Sequence, residues 1–226
     1  MTPETHHLKP TAPLAERVLL PGDPGRALLI AQALLDKPLM FNHHRGLWGY
    51  TGAAEDGEPL TVQATGMGGP SAAIVVWELI SLGARRLVRV GTCGSLREDL
   101  GIGDLVIATE ALAGDGTSRA LGAGERVAPD PGLVAALREA NPGAAAGPVA
   151  TGDLFYEAPP APDGALAVEM EAATIFQVAA RRGVAAACVL GVSDELVGGE
   201  RRRIDEEELK ELGVTIGRAG AAALSA

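Results

Sequence analysis

Positive charge is scarce in this chain. Its 226 residues include 19 Lys or Arg against 29 Asp or Glu, a formal net charge of −10, and so acidic a surface is unsuited to the phosphate backbone of a nucleic acid. A cation that holds an anion here must therefore act locally. Cysteine is also nearly missing: Cys93 and Cys188 are the only two, both in apolar stretches, which argues against a disulfide framework or a cysteine-based metal site. No apolar run approaches the roughly 18 residues that suggest a membrane span. With no secretory leader pattern either, a cytoplasmic protein that keeps its thiols reduced and contacts no membrane is expected. Aromatic residues make up only 3% of the chain, so the adjacent Phe155 and Tyr156 stand out. Repeats and low-complexity tracts are absent.

What the chain does have is apolar mass and tight connections. At 47% hydrophobic, with 30 Gly and 15 Pro, it can bury one large core, and no linker divides it. We expect a single domain over residues 1–226, with residues 1–13 an amino-terminal arm lacking a core pattern, either disordered or laid against a neighbouring subunit. Apolar runs predict strands at 17–20, 60–65, 87–90, 104–109, 148–151, 165–168 and 185–192, and helices at 27–35, 72–82, 170–182 and 205–224. Such alternation predicts an α/β fold with a mixed, mostly parallel central sheet flanked by helices. Residues 113–131, rich in Gly and polar groups, read as a long surface loop, and the proline-rich 157–164 cannot be regular helix.

Four clusters carry potential chemistry. In Arg89-Val90-Gly91-Thr92-Cys93-Gly94-Ser95, an apolar strand carrying one arginine breaks into a glycine-rich turn with free hydroxyls at the carboxyl edge, where open α/β sheets place ligands. The arginine needs an anion, either a ligand or a buried carboxylate. Pro21-Gly22-Asp23-Pro24-Gly25-Arg26 offers glycine amides and a helix amino terminus as an anion cradle, and Arg45 is a third arginine whose planar fork suits phosphate. In Val168-Glu169-Met170-Glu171, one carboxylate could accept from a ribose diol, or both could complement a helix dipole; alternation would aim one acid into the cleft and the other away. Cys188 to Asp194 is an apolar strand delivering Ser193 and Asp194 to the sheet edge, where a buried acid can donate a proton. Asp153-Leu154-Phe155-Tyr156 offers a planar ligand a face, or else plugs the core.

Taken together and in this order, these motifs resemble the nucleoside phosphorylase-I family, and look closest to its hexameric bacterial members that act on purine nucleosides. The likeness runs from about His6 to the final helix. It implies phosphate-dependent cleavage of the N-glycosidic bond, giving free purine and ribose (or deoxyribose) 1-phosphate, with inorganic phosphate as co-substrate and neither metal nor organic cofactor. Gly22, Arg26, Arg89 and Thr92 match the family's phosphate positions, and Arg45 matches an arginine given across a dimer interface. Met170 and Glu171 match the ribose-binding pair, and either His6 or His7 matches a histidine that reaches a neighbour's sugar. Phe155 matches the aromatic packed on the base, with Val168 and Ser193 in the same pocket, and Asp194 the acid at purine N7. Arg201 is the match for an arginine that assists this acid, with Arg202 the alternative. The partners implied are a purine nucleoside, phosphate and further copies of the chain, a hexamer built from dimers.

The chain departs from the family pattern in two places. Residues 157–164 and the connection from Asp194 to Arg201 are both shorter than usual. Uridine phosphorylases carry a Gln-x-Arg element after the Phe-Tyr pair, where this chain has Glu157-Ala158-Pro159-Pro160, so purine is favoured over uracil. The competing readings are a nucleosidase of the same fold that cleaves adenine thionucleosides with water, and a non-catalytic nucleoside sensor. Three arginines converging on one anion speak against the nucleosidase.

Overall fold

The structure is a computed structural model that describes residues 5–156, 158, 160–196 and 201–225. In chain order its strands are β1 (Arg17–Leu20), β2 (Asp36–Asn42), β3 (Gly49–Ala53), β4 (Pro59–Gln63), β5 (Arg86–Ser95), β6 (Leu105–Ala113), β7 (Arg126–Val127), β8 (Ala145–Thr151), β9 (Ala167–Glu169), β10 (Ala185–Glu195) and β11 (Arg202–Arg203). Its helices are α1 (Pro24–Leu34), α2 (Gly69–Leu82), α3 (Gly116–Ala120), α4 (Pro131–Ala140), α5 (Ala172–Arg182) and α6 (Glu206–Ser225). The α/β class with a mixed sheet flanked by helices is as expected.

All the strands join one sheet, in the order β11-β10-β6-β8-β9-β5-β1-β4-β3-β2, with β7 beside β6 and β10 also paired to β5. The β10–β5 pairing closes β5, β10, β6, β8 and β9 into a ring and leaves β1, β4, β3 and β2 as an open wing. Parallel pairing holds β5 between β1 and β10, β6 against β8, and β8 against β9. The wing hairpins and the β5–β9 and β10–β6 contacts are antiparallel.

Ring closure explains the largest correction to the sequence reading. Residues 91–95 are not a glycine-rich turn but the second half of β5, because β10 runs beside them and β9 covers Gly94 and Ser95 from the other edge. β10 likewise runs three residues past the expected end, with a register shift between Val192 and Asp194. A bulge of this kind re-aims side chains.

Apolar alternation along the strands sends side chains to two cores. Leu87, Cys93, Cys188, Leu190 and Val192 meet α2 and α5 on one face, while Val88, Val90, Ala187 and Val189 meet α1, α4 and α6 on the other. A Cβ at Gly220 of α6 would stand 2.5 Å from Val90 Cγ1, so its absence sets how closely α6 docks on β5.

One further expectation fails for want of tertiary information, and of the two readings of the arm the disordered one is excluded. The 113–131 segment is not a long loop: it holds α3, β7 and the amino end of α4. Buried Asp115 organises it, accepting from the Ser118 amide at 2.8 Å, the Ser118 hydroxyl at 2.5 Å and the Thr174 hydroxyl at 2.7 Å. The arm, over its described residues, is neither patternless nor disordered. Leu8 is completely buried, and the Lys9 and Thr11 amides donate to Asn42 and Phe41 of the same chain.

Candidate active site

Side chains two apart on a strand share a face, so Arg89, Gly91 and Cys93 point together toward α5. The Arg89 guanidinium lies over Gly91, whose Cβ, if present, would be 2.7 Å from Arg89 Cζ; only glycine leaves that space. Arg89 is 3% exposed. Its Nε donates to Glu169 Oε2 at 2.8 Å, its Nη2 pairs with Glu171 Oε2 at 2.5 Å, and its Nη1 is buried with no hydrogen-bond partner among the described residues. Burial works against this charge, but Glu171 and Glu169 outweigh it and hold the guanidinium above its ordinary value. The strand arginine therefore has both kinds of anion open to it: two carboxylates already in place, and one unmet donor.

The two glutamates differ from the alternation argument, since both reach Arg89. Glu169 ends β9, and its carboxylate accepts from the Thr151 hydroxyl at 2.6 Å and from the amides of Glu171 and Ala172 at 2.8 and 2.9 Å. It caps α5 and braces Arg89, with little capacity left for a ligand. Glu171 accepts from the Gly68 amide at 2.5 Å besides Arg89, and burial pushes its carboxyl above the ordinary range against the pull of that arginine. Thr151 and the Gly68 amide escaped the sequence reading, because nothing local in either marks a carboxylate partner.

A cleft of about 1110 Å³ opens on this floor and brings together Gly22, Arg26, Arg89, Thr92, Phe155, Val168, Met170, Glu171, Ser193, Asp194 and Arg201. Gly22 and Arg26 enter from the β1–α1 junction. Asp23 caps α1, accepting from the Arg26 amide at 2.6 Å, and burial draws the Arg26 guanidinium below its ordinary value. Cys93 is buried yet also lines the cleft, and burial raises its thiol. Arg119 of α3 and Met67 line it as well. Neither lies in a motif that sequence could single out.

On the opposite wall the β10 bulge lets the consecutive Ser193 and Asp194 both line the cleft. Asp194 is 5% exposed; its Oδ2 accepts from the Ser193 hydroxyl at 2.8 Å, and its Oδ1 from Arg201 Nε at 2.9 Å and Nη2 at 2.8 Å. Arg202 turns to Glu195 instead, so the alternative for the assisting arginine is not met. Arg203 comes within 4.0 Å of Asp194, a neighbour the sequence reading did not consider. Phe155 is half-exposed, edge-on to Tyr156, with the Arg201 guanidinium 4.2 Å above its ring. A planar group could replace that guanidinium on the aromatic face while staying beside Asp194.

Three candidates do not line this chain's own cleft. Arg45 is exposed in a left-handed turn at φ 59°. The His7 ring is taken by Glu78 at 2.8 Å, and His6 is exposed. Among the described residues no group of three His, Cys, Asp or Glu could hold a metal ion, and no helix is long and apolar enough to cross a membrane.

Fold and cleft together define a one-domain α/β enzyme in which a buried-arginine anion floor faces an acid set beside an aromatic ring. Comparison with protein families matches residues 16–226 to the Phosphorylase superfamily. The chain is 41% identical over 211 residues to the DeoD-type purine nucleoside phosphorylase of Geobacillus kaustophilus, covering 88% of this chain and 89% of that one. It is 42% identical over 209 residues to the protein of that name from Caldanaerobacter subterraneus subsp. tengcongensis, and 39% over 208 to that of Clostridium perfringens, covering 86% of this chain in each case and 89% and 88% of theirs. The chain belongs to the phosphorylase superfamily.

Proposed function

We propose that this protein catalyses phosphorolysis of purine nucleosides, with inorganic phosphate as co-substrate and no organic cofactor. The observation that carries this is the Arg89 floor: a buried guanidinium held by two carboxylates, with Nη1 lacking a partner among the described residues. An unmet buried donor costs about 1–3 kcal/mol, and a phosphate oxygen would remove that cost. Gly22, Arg26 and Thr92 converge on the same floor and complete the phosphate site, with Arg45 supplied by a neighbouring copy.

Met170 and Glu171 hold the ribose hydroxyls, so Glu171 links the sugar to the phosphate-binding arginine. The purine lies on Phe155, flanked by Val168 and Ser193. A phosphate oxygen attacks the ribosyl carbon as the C–N bond breaks, and that electron pair leaves with the purine. Asp194 donates a proton to N7 as the bond breaks, and Arg201 balances the carboxylate left behind. Orientation of phosphate beneath the sugar supplies much of the rate.

Arg45 and His6 lie outside this chain's own cleft, and the reading requires a homo-oligomer in which they complete neighbouring sites, a hexamer built from three dimers. Light scattering of active enzyme should give a multimer; a fully active monomer would refute the shared site. The direct test of the reaction is base release from inosine, adenosine and uridine with and without phosphate. Purine release that needs phosphate is expected, and equal rates without it would refute phosphorolysis. Asp194→Asn should fold normally and lose about 10²- to 10⁴-fold in turnover.

A further inference from the structure

Glu78 lies on α2, is 8% exposed and does not line the cleft. Its carboxylate gathers three successive amides of the arm: His6 at 3.1 Å and His7 at 3.1 Å on Oε1, and Leu8 at 2.7 Å on Oε2. The His7 ring adds a fourth contact through Nδ1 at 2.8 Å. Consecutive amides folded around an anion form a nest, and the anion here is a side chain of the same molecule. Leu8, completely buried, plugs the arm into the core beside it. The His7 carbonyl, in turn, accepts from His44 Nδ1 at 2.9 Å.

The backbone of residues 6–8 is thus pinned at every amide, while the His6 side chain stands exposed with no hydrogen bond among the described residues. An exposed imidazole on a rigidly held backbone suits a group that must act at a fixed point outside its own chain. We propose that Glu78 is a positioning residue, fixing the arm so that His6 is presented to the sugar pocket of a neighbouring copy. This rests on the reading of His6 as a residue of the neighbour's site. The same clasp assigns the two adjacent histidines different tasks: His7 anchors and His6 reaches.

The test is steady-state kinetics of the full-length enzyme as His6→Ala, Glu78→Gln and the double variant, with oligomeric state and melting temperature recorded. In Glu78→Gln the amide NH₂ faces backbone donors, and the arm loses its fixed place. Loss of positioning should raise the nucleoside KM on the order of 10-fold or more, to a similar degree in each single variant. The phosphate KM should rise less than the nucleoside KM, because the turn carrying Arg45, although it meets the arm at His7 and Lys9, is also braced by Asn42, whose amide donates to the carbonyls of His44 and Leu47. The double variant should be no worse than the worse single one, as two residues acting through one contact are not additive. A normal nucleoside KM in Glu78→Gln, beside a raised one in His6→Ala, would overturn the proposal alone. A normal KM in His6→Ala would overturn the reading of His6 and the proposal with it. If Glu78→Gln does not fold, Glu78→Asp keeps the charge one methylene short, and an intermediate rise in nucleoside KM is expected; no rise would count against the role.

Discussion

At the scale of single residues, the site is built on a charge that the core would otherwise reject. Arg89 is tolerated because Glu169 and Glu171 neutralise it, and removing one partner of such a buried pair costs about 3–5 kcal/mol, so replacing Arg89 itself mixes folding with function. Gly91→Ala separates them. The new Cβ would stand 2.7 Å from the guanidinium carbon and displace the Arg89 head while leaving its charge in place. Loss of one charge-assisted hydrogen bond, about 1.5–3 kcal/mol, should raise the phosphate KM roughly 10- to 100-fold, and the nucleoside KM by less, through the Arg89–Glu171 contact. An unaltered phosphate KM would show that Arg89 does not hold the anion. Arg89, Gly22 and Arg26 were legible in the sequence because each is flanked by its own turn or strand pattern. The role of Glu169 was not: its partners Thr151 and Arg89 lie 18 and 80 residues away, and the contest between dipole, sugar and arginine is settled only by the sheet that brings them together.

At the scale of elements, the units with apolar periodicity were readable and those defined by pairing were not. β1 has the bounds expected, and α5 and α6 are right within two residues. By contrast, β2 exposes Leu39 and Met40 and exists through its hairpin with β3, while α3 depends on the buried Asp115. β5 was cut short because its glycines look like a turn until β10 and β9 pair with them. The arm was missed for a similar reason, since Leu8 and Glu78 lie in separate segments. Burial opposes the charge of Glu78, but the amides of Leu8, His7 and His6 and the His7 ring outweigh it, holding the carboxyl below its ordinary value of 4.5. Because the folded value is the depressed one, its stabilisation is complete above about pH 4.5 and disappears as pH falls through the lower folded value. The melting-temperature difference between wild type and Glu78→Gln should therefore be constant near neutrality and shrink in acid. A difference that grew on acidification would contradict that clasp.

At the scale of the whole molecule, one sheet closes on itself and places the ends of β1, β5, β9 and β10 around a single cleft. Its volume, about 1110 Å³, accommodates a nucleoside together with phosphate. Among the described residues, exposed apolar groups lie in two regions, with Leu39, Met40, Trp48, Ile74 and Trp77 on the wing and α2, and Met67, Leu154, Phe155, Tyr156 and Leu196 in or beside the cleft. The first region adjoins the arm, whose Thr11 hydroxyl donates to the Met40 carbonyl. The most direct measurement is phosphorus NMR of the enzyme with inosine and phosphate. One sugar phosphomonoester should appear for every hypoxanthine released, at the expense of inorganic phosphate; free base accumulating with the phosphate signal unchanged would mean that water, not phosphate, attacks the sugar.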